Sequence, residues 1–362
     1  MSEAASAPAA ARLPELDLAR GLAVIGMFWV HFVPMEPRGA WPEQAAAAVS
    51  RALEGTPAAL FFILAGMAWG LQAERSELAP RYPLYVARRA LTLLLMGLAL
   101  HRLAWSTEVL VPMGLALPAC AAIRRGGPRA LRAALLLVLI ATPLLAWRIP
   151  TQDWNEDGSH AADRSTGWVT VRYLVLNGNY PLIPFLAFPL LGMVMVSRRG
   201  RPEASGSRPP AAGPALRATV GLATVAALAR LAPLLAPTSG AAGGLAPYLA
   251  CTWTPITLPF VFAVGSTALL TLKAAGRLRP VRLAPSITLI GRASLTHYLG
   301  HILLVFVPLR LAFPAEDWPA RIGLAAFAGY AAAALPLTAL WFRRFQRGPV
   351  EELLARASGR SR

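Results

Sequence analysis

The residues with the clearest chemical potential lie near the N-terminus, where a carboxylate, a guanidinium and an imidazole fall within one apolar stretch. Asp17 and Arg20 are three residues apart, and His31 follows Arg20 by eleven residues. Eleven helical residues make about three full turns, so Arg20 and His31 share a helix face and lie roughly 16 Å apart along its axis. In a membrane helix such ionisable groups are costly and indicate a functional site. The alternative is that Arg20 has no functional role and only marks the end of a membrane span, with its charged head reaching the membrane surface.

A second group of polar side chains lies towards the C-terminus. His297 and His301 are four residues apart and therefore share one helix face, and Arg292 precedes them. Two histidines at this spacing can bind a metal ion, but the segment offers no glutamate partner and no third ligand. We therefore predict no metal site. For His301 two interpretations remain open: a second catalytic or acceptor-binding residue, and a side chain hydrogen-bonded within its own helix.

The elements that must position these residues are long apolar segments. The 362 residues are 56% hydrophobic, with a mean hydropathy of +0.50 and only 15% charged residues. Apolar runs of roughly 18 to 24 residues match the hydrocarbon core of a bilayer, where the backbone must form helices. The sequence predicts an all-α polytopic integral membrane protein of about ten transmembrane helices. The predicted spans are 18–35, 56–72, 86–104, 109–123, 130–149, 180–197, 216–236, 247–271, 287–310 and 320–342.

The charge distribution predicts the orientation of these helices. The net charge is +17, but the arginines cluster in alternate loops, which is the positive-inside pattern of a multi-pass protein and not a nucleic-acid-binding surface. We therefore expect both termini in the cytoplasm, a location in the cytoplasmic (inner) membrane and no nucleic-acid partner. Residues 1–17 form a cytoplasmic lead, 18–345 a single transmembrane domain with a flexible linker at 198–215, and 346–362 a basic cytoplasmic tail.

Two predicted outer loops and one buried arginine could also contribute to a site. Segments 36–55 and 150–179 are long enough either to cover a site or to be solvated connections. Arg230 falls inside the seventh predicted span, where burial would demand a partner, either a bound acceptor or an ion-pairing side chain.

Several motifs in this order resemble a known group of membrane enzymes. Asp-x-x-Arg-Gly with its histidine resembles the first helix of the heparan-α-glucosaminide N-acetyltransferase family, its YeiB-like relatives and acyltransferase family 3. The resemblance continues through four later segments: Leu60 to Gly66, Tyr180 to Phe185, Gly291 to His301, and Phe345 to Arg356 with its Gly348-Pro349-Val350-Glu351.

This resemblance implies transfer of an acyl group, acetyl or a similar one, from cytoplasmic acyl-CoA to an extracytoplasmic or membrane-embedded acceptor such as a sugar. Acyl-CoA is then a co-substrate, and no metal is involved. His31 is the implied general base, and we predict His301 as a second catalytic residue. Arg20, Asp17 and Arg292 are the implied cofactor-binding residues, with Asp17 orienting Arg20. The lipid bilayer is the remaining partner, and a homodimer is open.

One departure from the heparan family keeps other functions open. In that family asparagine is common at the position of His31 and the histidine comes slightly later, whereas 32–55 contains no histidine. His31 follows the acyltransferase 3 pattern instead. The alternative functions are a transporter or flippase without covalent chemistry and a non-catalytic membrane subunit. A cavity running from Arg20 to His31 would favour the enzyme.

Overall fold

The structure is a computed structural model that describes residues 13–35, 41–76, 80–103, 108–148, 171–197, 256–313 and 318–359. Several predictions lie outside these residues: the linker 198–215, the span 216–236 with Arg230, the start of the span 247–271, and most of the loop 150–179. The described part of the chain is helical throughout, as predicted.

Thirteen α-helices and two short π-helical segments make up the described chain. The π-helical segments are Tyr173–Asn177 and Ile302–Phe306. The α-helices are α1 Pro14–Phe32, α2 Trp41–Leu53, α3 Thr56–Ser76, α4 Tyr82–Leu103, α5 Leu110–Arg124, α6 Gly127–Arg148, α7 Leu182–Ser197, α8 Leu258–Leu278, α9 Ala284–Arg292, α10 Ser294–His301, α11 Val307–Ala312, α12 Ala320–Phe342 and α13 Pro349–Ala357.

The membrane character of the chain is confirmed in coarse form. Among the described residues, six helical stretches are long and apolar enough to cross a bilayer, and α5 and α7 are shorter apolar helices. Helix α12 coincides with the predicted span 320–342. The count of ten spans and the orientation stay predictions. We therefore name the two sides of the bundle by the residues of α1, as the Arg20 end and the His31 end.

Three parts of the chain differ in detail from the sequence prediction. The expected loop 36–55 contains helix α2, and the tail contains helix α13. The predicted span 287–310 is broken at Ala293 into α9 and α10, then passes through the π-helical segment Ile302–Phe306. The π segment lies just before Pro308, which has no backbone N–H and whose ring clashes with a regular preceding turn.

The packing of α1 against α9 depends on two glycines. A β-carbon on Gly21 would overlap the carbonyl of Ile287, and one on Gly291 would overlap the carbonyl of Asp17. The two backbones can approach this closely only because neither residue has a side chain. Since Arg20 precedes Gly21 and Arg292 follows Gly291, this crossing brings both arginines to the same end of the bundle.

The His31 end of α1 is fixed by neighbouring elements. The last carbonyls of a helix have no partner within it. Trp318 Nε1 donates to the carbonyl of Phe32 at 2.7 Å, and Ser50 Oγ, on α2, donates to the carbonyl of Val33 at 3.1 Å. These hydrogen bonds hold the last turn of α1, and with it His31, in a defined position.

Candidate functional site

A cavity of about 310 Å³ lies at the Arg20 end of α1. All three predicted cofactor-binding residues, Asp17, Arg20 and Arg292, line it. The other polar side chains around it come from α3, α4, α10 and the tail: Gln72, Arg89, Ser294, Gln346, Arg347 and Glu351. Four arginines against two carboxylates give the cavity lining a surplus of positive charge, which favours an anionic ligand group.

Asp17 and Arg20 form an ion pair at the cavity wall. Arg20 Nη1 donates to Asp17 Oδ1 at 2.5 Å, and Asp17 is buried. Because the two residues are one turn apart on α1, the carboxylate restricts the guanidinium without closing its other N–H donors. The geometry suits an orienting role for Asp17, and that role stays a prediction.

Arg292 is held from two sides. Its guanidinium carbon lies 4.2 Å from the centre of the Phe342 ring, and Nη2 donates to the carbonyl of Gln346 at 3.1 Å. The side chain therefore lines the cavity and also ties the chain after α12 to α9.

The structure brings His31 and His301 together, although 270 residues separate them. His31 Nδ1 and His301 Nε2 are 2.8 Å apart, and the ring planes differ by 13°. Aromatic rings surround the pair: Phe28 lies 4.9 Å and Tyr298 5.7 Å from the ring centre of His301. Both predicted catalytic residues thus belong to one hydrogen-bonded cluster.

The hydrogen bonds of this cluster fix which nitrogen of each ring carries the proton. His301 Nδ1 lies 3.0 Å from the carbonyl of His297, and a carbonyl can only accept, so His301 is protonated on Nδ1. Neutral His301 must then accept at Nε2, and His31 Nδ1–H donates to it. Neutral His31 therefore bears its lone pair on Nε2, which is the nitrogen able to take up a proton.

His297 has a different environment. Thr338 Oγ1 donates to the carbonyl of Ala334 at 2.6 Å, so it accepts from His297 Nε2 at 2.8 Å. Tyr330 Oη lies 3.3 Å from His297 Nδ1. With both ring nitrogens bonded to α12, His297 fastens α10 to α12. Within the described residues no three histidine, cysteine or acidic side chains lie close enough to hold a metal ion.

The cavity and the histidine pair are neighbouring but separate. Neither His31 nor His301 lines the cavity, whereas Leu110 does. The adjacent Val109 N donates to Tyr298 Oη at 3.1 Å, and Tyr298 is fully buried against His301. The contact between Tyr298 and the start of α5 therefore adjoins both the cavity and the cluster. A cavity running from Arg20 to His31 would favour the enzyme; within the described residues, the cavity that Arg20 lines does not include His31.

Three residues around the site have no role predicted from the sequence: Glu108, Tyr298 and Glu351. Glu108 is buried and accepts from the backbone N–H groups of Leu110 at 2.5 Å and Val111 at 3.0 Å, which caps α5. Tyr298 and Glu351 were noticed only within the motifs. A lone acid directly before an apolar span is the signal that could have identified Glu108.

Comparisons with known proteins agree with the motifs. The model of the heparan-alpha-glucosaminide N-acetyltransferase catalytic domain matches residues 12–224, more than half of the chain. The model described as a protein of unknown function (DUF418) matches residues 208–360. No curated protein matches the chain. The first match includes Asp17, Arg20 and His31, and the second includes Arg292, His301 and Glu351.

Proposed function

Because the chain belongs to the family of heparan-α-glucosaminide N-acetyltransferase catalytic domains, we propose that it is a membrane acyltransferase. In this proposal it moves an acetyl or similar acyl group from an acyl-CoA bound at the Arg20 end to an acceptor at the His31 end. The acceptor carries a hydroxyl or an amine, and a sugar is the expected class. The observation that carries the proposal is the hydrogen bond from His31 to His301, which leaves His31 Nε2 as the base.

The donor end of the proposed site offers guanidinium groups that can bind phosphate. Guanidinium groups form charge-assisted hydrogen bonds with phosphate, and Arg20 and Arg292 line the cavity from different helices. A volume of about 310 Å³ is at the lower end of the range for ligand pockets. The cavity therefore suits the narrow pantetheine arm, with the phosphorylated end of the donor against the arginines that line the cavity.

The acceptor end supplies general base catalysis. His31 Nε2 takes the proton from the acceptor oxygen or nitrogen as that atom attacks the thioester carbonyl carbon. The carbon–sulfur bond then breaks, and the coenzyme A thiolate takes up a proton from His31. His301 acts through His31, because its Nε2 accepts the Nδ1–H and shares the positive charge that forms during the transfer.

The proposed topology places the reaction across the bilayer. The Arg20 end faces the cytoplasm, where acyl-CoA is found, and the His31 end faces the opposite side. This proposal includes the ten predicted spans, the cytoplasmic termini, the location in the inner membrane and the flexible linker at 198–215. A homodimer stays a prediction without further support.

One observation favours the alternative of a transporter or flippase. The cavity adjoins Tyr298 and Leu110 and does not include the histidine pair. In an enzyme, the contact between Tyr298 and the start of α5 must open for the thioester to reach His31. In a transporter, the same contact would separate two states that open to opposite sides of the membrane. Turnover of acyl-CoA distinguishes the two functions.

The test is binding and turnover of acetyl-CoA by the purified full-length protein, with glucosamine as the surrogate acceptor. Wild type is compared with His31→Ala, Arg20→Ala and the control His101→Ala. His101 lies in the last turn of α4 and does not line the cavity. We expect release of free coenzyme A from wild type and the control, no release from His31→Ala, and weaker binding by Arg20→Ala. A wild-type protein that binds no coenzyme A thioester would overturn the enzyme function in favour of transport.

A further inference from the structure

The tail folds back onto the helix bundle. We define the tail clasp as residues 345–357, which include helix α13. Helix α13 begins with Pro349 at its first turn, where a missing N–H costs nothing, and it packs against α4 and α10. The sequence predicted only a basic tail here, so the packing reveals a structural role for this segment.

Glu351 joins the tail clasp to the helix that carries His301. Its Oε1 accepts from Leu295 N at 2.6 Å and from Thr296 N at 3.2 Å, and its Oε2 accepts from Thr296 Oγ1 at 2.6 Å. Thr296 Oγ1 in turn accepts from Val350 N at 3.1 Å. A negative carboxylate at the first turn of α10 also interacts favourably with the helix dipole.

The break at Ala293 makes this capping possible. In a continuous helix, Leu295 N and Thr296 N would donate to the carbonyls four residues earlier. Ala293 departs from helical geometry, with φ −109° and ψ 31°, so these two N–H groups are released for Glu351. The broken span and the tail clasp are therefore two parts of one arrangement.

Close packing fixes the entry to the tail clasp. A β-carbon on Gly348 would overlap Glu351 Oε2, and it would lie 2.8 Å from Thr296 Oγ1 and 3.0 Å from the Ala293 β-carbon. Trp341 Nε1 donates to the carbonyl of Arg347 at 2.8 Å, and Arg292 donates to that of Gln346. These contacts place the tail clasp directly beside the arginine-lined cavity.

Five residues of the tail clasp line that cavity: Gln346, Arg347, Glu351, Leu354 and Ala355. The two carboxylates of the cavity are already engaged, Asp17 by Arg20 and Glu351 by α10. Arg347 Nη1 donates to Glu352 at 3.2 Å, which uses one of the five N–H donors of its guanidinium. The remaining donors of Arg347 can bind a phosphate group.

We propose that the tail clasp is a wall of the donor site, in which Arg347 binds the phosphorylated end of the acyl thioester while Glu351 holds α10 and His301 in register. This inference rests on the proposed acyltransferase function and adds to it a residue and a segment outside the first-helix motif. It assigns the Gly348-Pro349-Val350-Glu351 motif to assembly of the donor site.

The test compares coenzyme A with unphosphorylated pantetheine as ligands of the full-length protein, by calorimetry. Arg347→Gln is the test variant. Arg344→Gln is the matched control, because Arg344 does not line the cavity; it lines a neighbouring groove beside Trp341, which Arg347 also lines. Arg347→Gln loses a charge-assisted hydrogen bond to the phosphate group, so we expect its Kd for coenzyme A to rise at least about tenfold. The Kd for pantetheine and both Kd values of Arg344→Gln should match wild type.

Gly348→Ala tests the docking of the tail clasp independently of Arg347. We expect it to weaken coenzyme A binding and to expose the 345–357 amides to hydrogen exchange, while Arg347→Gln leaves that exchange unchanged. Equal losses in Arg347→Gln and Arg344→Gln would overturn the inference, because they would indicate a diffuse basic surface. Wild-type affinity in Arg347→Gln would also overturn it and leave the acyltransferase function standing. A wild-type protein that does not bind coenzyme A would overturn both this inference and the proposed acyltransferase function.

Discussion

The hydrogen bond between His31 and His301 gives a quantitative prediction for catalysis. His301→Leu removes the Nε2 acceptor of this 2.8 Å hydrogen bond and keeps a buried apolar side chain beside Phe28. When His31 takes up the acceptor proton, its hydrogen bond to His301 becomes charge-assisted and contributes about 1.5–3 kcal/mol. Since about 1.4 kcal/mol corresponds to a factor of ten, kcat should fall about 10- to 150-fold.

The assay is release of coenzyme A at saturating acetyl-CoA, with kcat and KM measured separately. The KM for acetyl-CoA should change little, because His301 does not line the cavity that contains Arg20. His301→Gln is the conservative variant: its amide oxygen can accept the Nδ1–H of His31 and should restore part of kcat. His297→Gln is the control on the same helix, because His297 bonds to α12 and not to His31.

Two results would refute the reasoning. A His301→Leu protein that folds and keeps kcat within about twofold of wild type would mean that the hydrogen bond does not act in the transition state. A His301→Gln protein no more active than His301→Leu would mean that the orientation of His31 does not depend on an acceptor at this position.

Gly291→Ala should lower both thermal stability in detergent and coenzyme A affinity, because its β-carbon would overlap the Asp17 carbonyl; Gly276→Ala, with open space around it, is the control and should not. His297→Phe loses two side-chain hydrogen bonds and should lower the free energy of unfolding by about 1–3 kcal/mol, with coenzyme A affinity unchanged. Burial raises the pKa of Glu351 above its value in the unfolded chain. The carboxyl group therefore stays protonated to a higher pH in the folded protein than in the unfolded chain. Its contribution to the free energy of unfolding falls as pH rises between the two pKa values. The difference in melting temperature between wild type and Glu351→Gln should therefore shift in favour of Gln as pH rises, and a difference independent of pH would contradict this.

Hydropathy and local periodicity predicted where several of the observed apolar helices lie. The span 320–342 has the observed bounds of α12, and the helix containing Arg20 and His31 was predicted within four residues of its observed start. These features depend only on apolar length and on 3.6 residues per turn, which one segment of sequence contains in full.

Amphipathic and interrupted helices were harder to predict. Helices α2 and α13 are short and lie outside the long apolar runs, so hydropathy gave no signal for them. The break at Ala293 also has no local cause in the residue types, because its stabilising partner is the Glu351 carboxylate supplied by the tail.

From the sequence we predicted the candidate site residues, the helix face that Arg20 and His31 share and their separation along α1. The groups that meet them from distant parts of the chain became visible in the fold: His301 beside His31, Arg292 with Arg20 around one cavity, and Glu351 at the start of α10. The reason is physical: a helix fixes neighbours three or four residues apart, whereas contacts across hundreds of residues depend on how the glycine-lined helices cross.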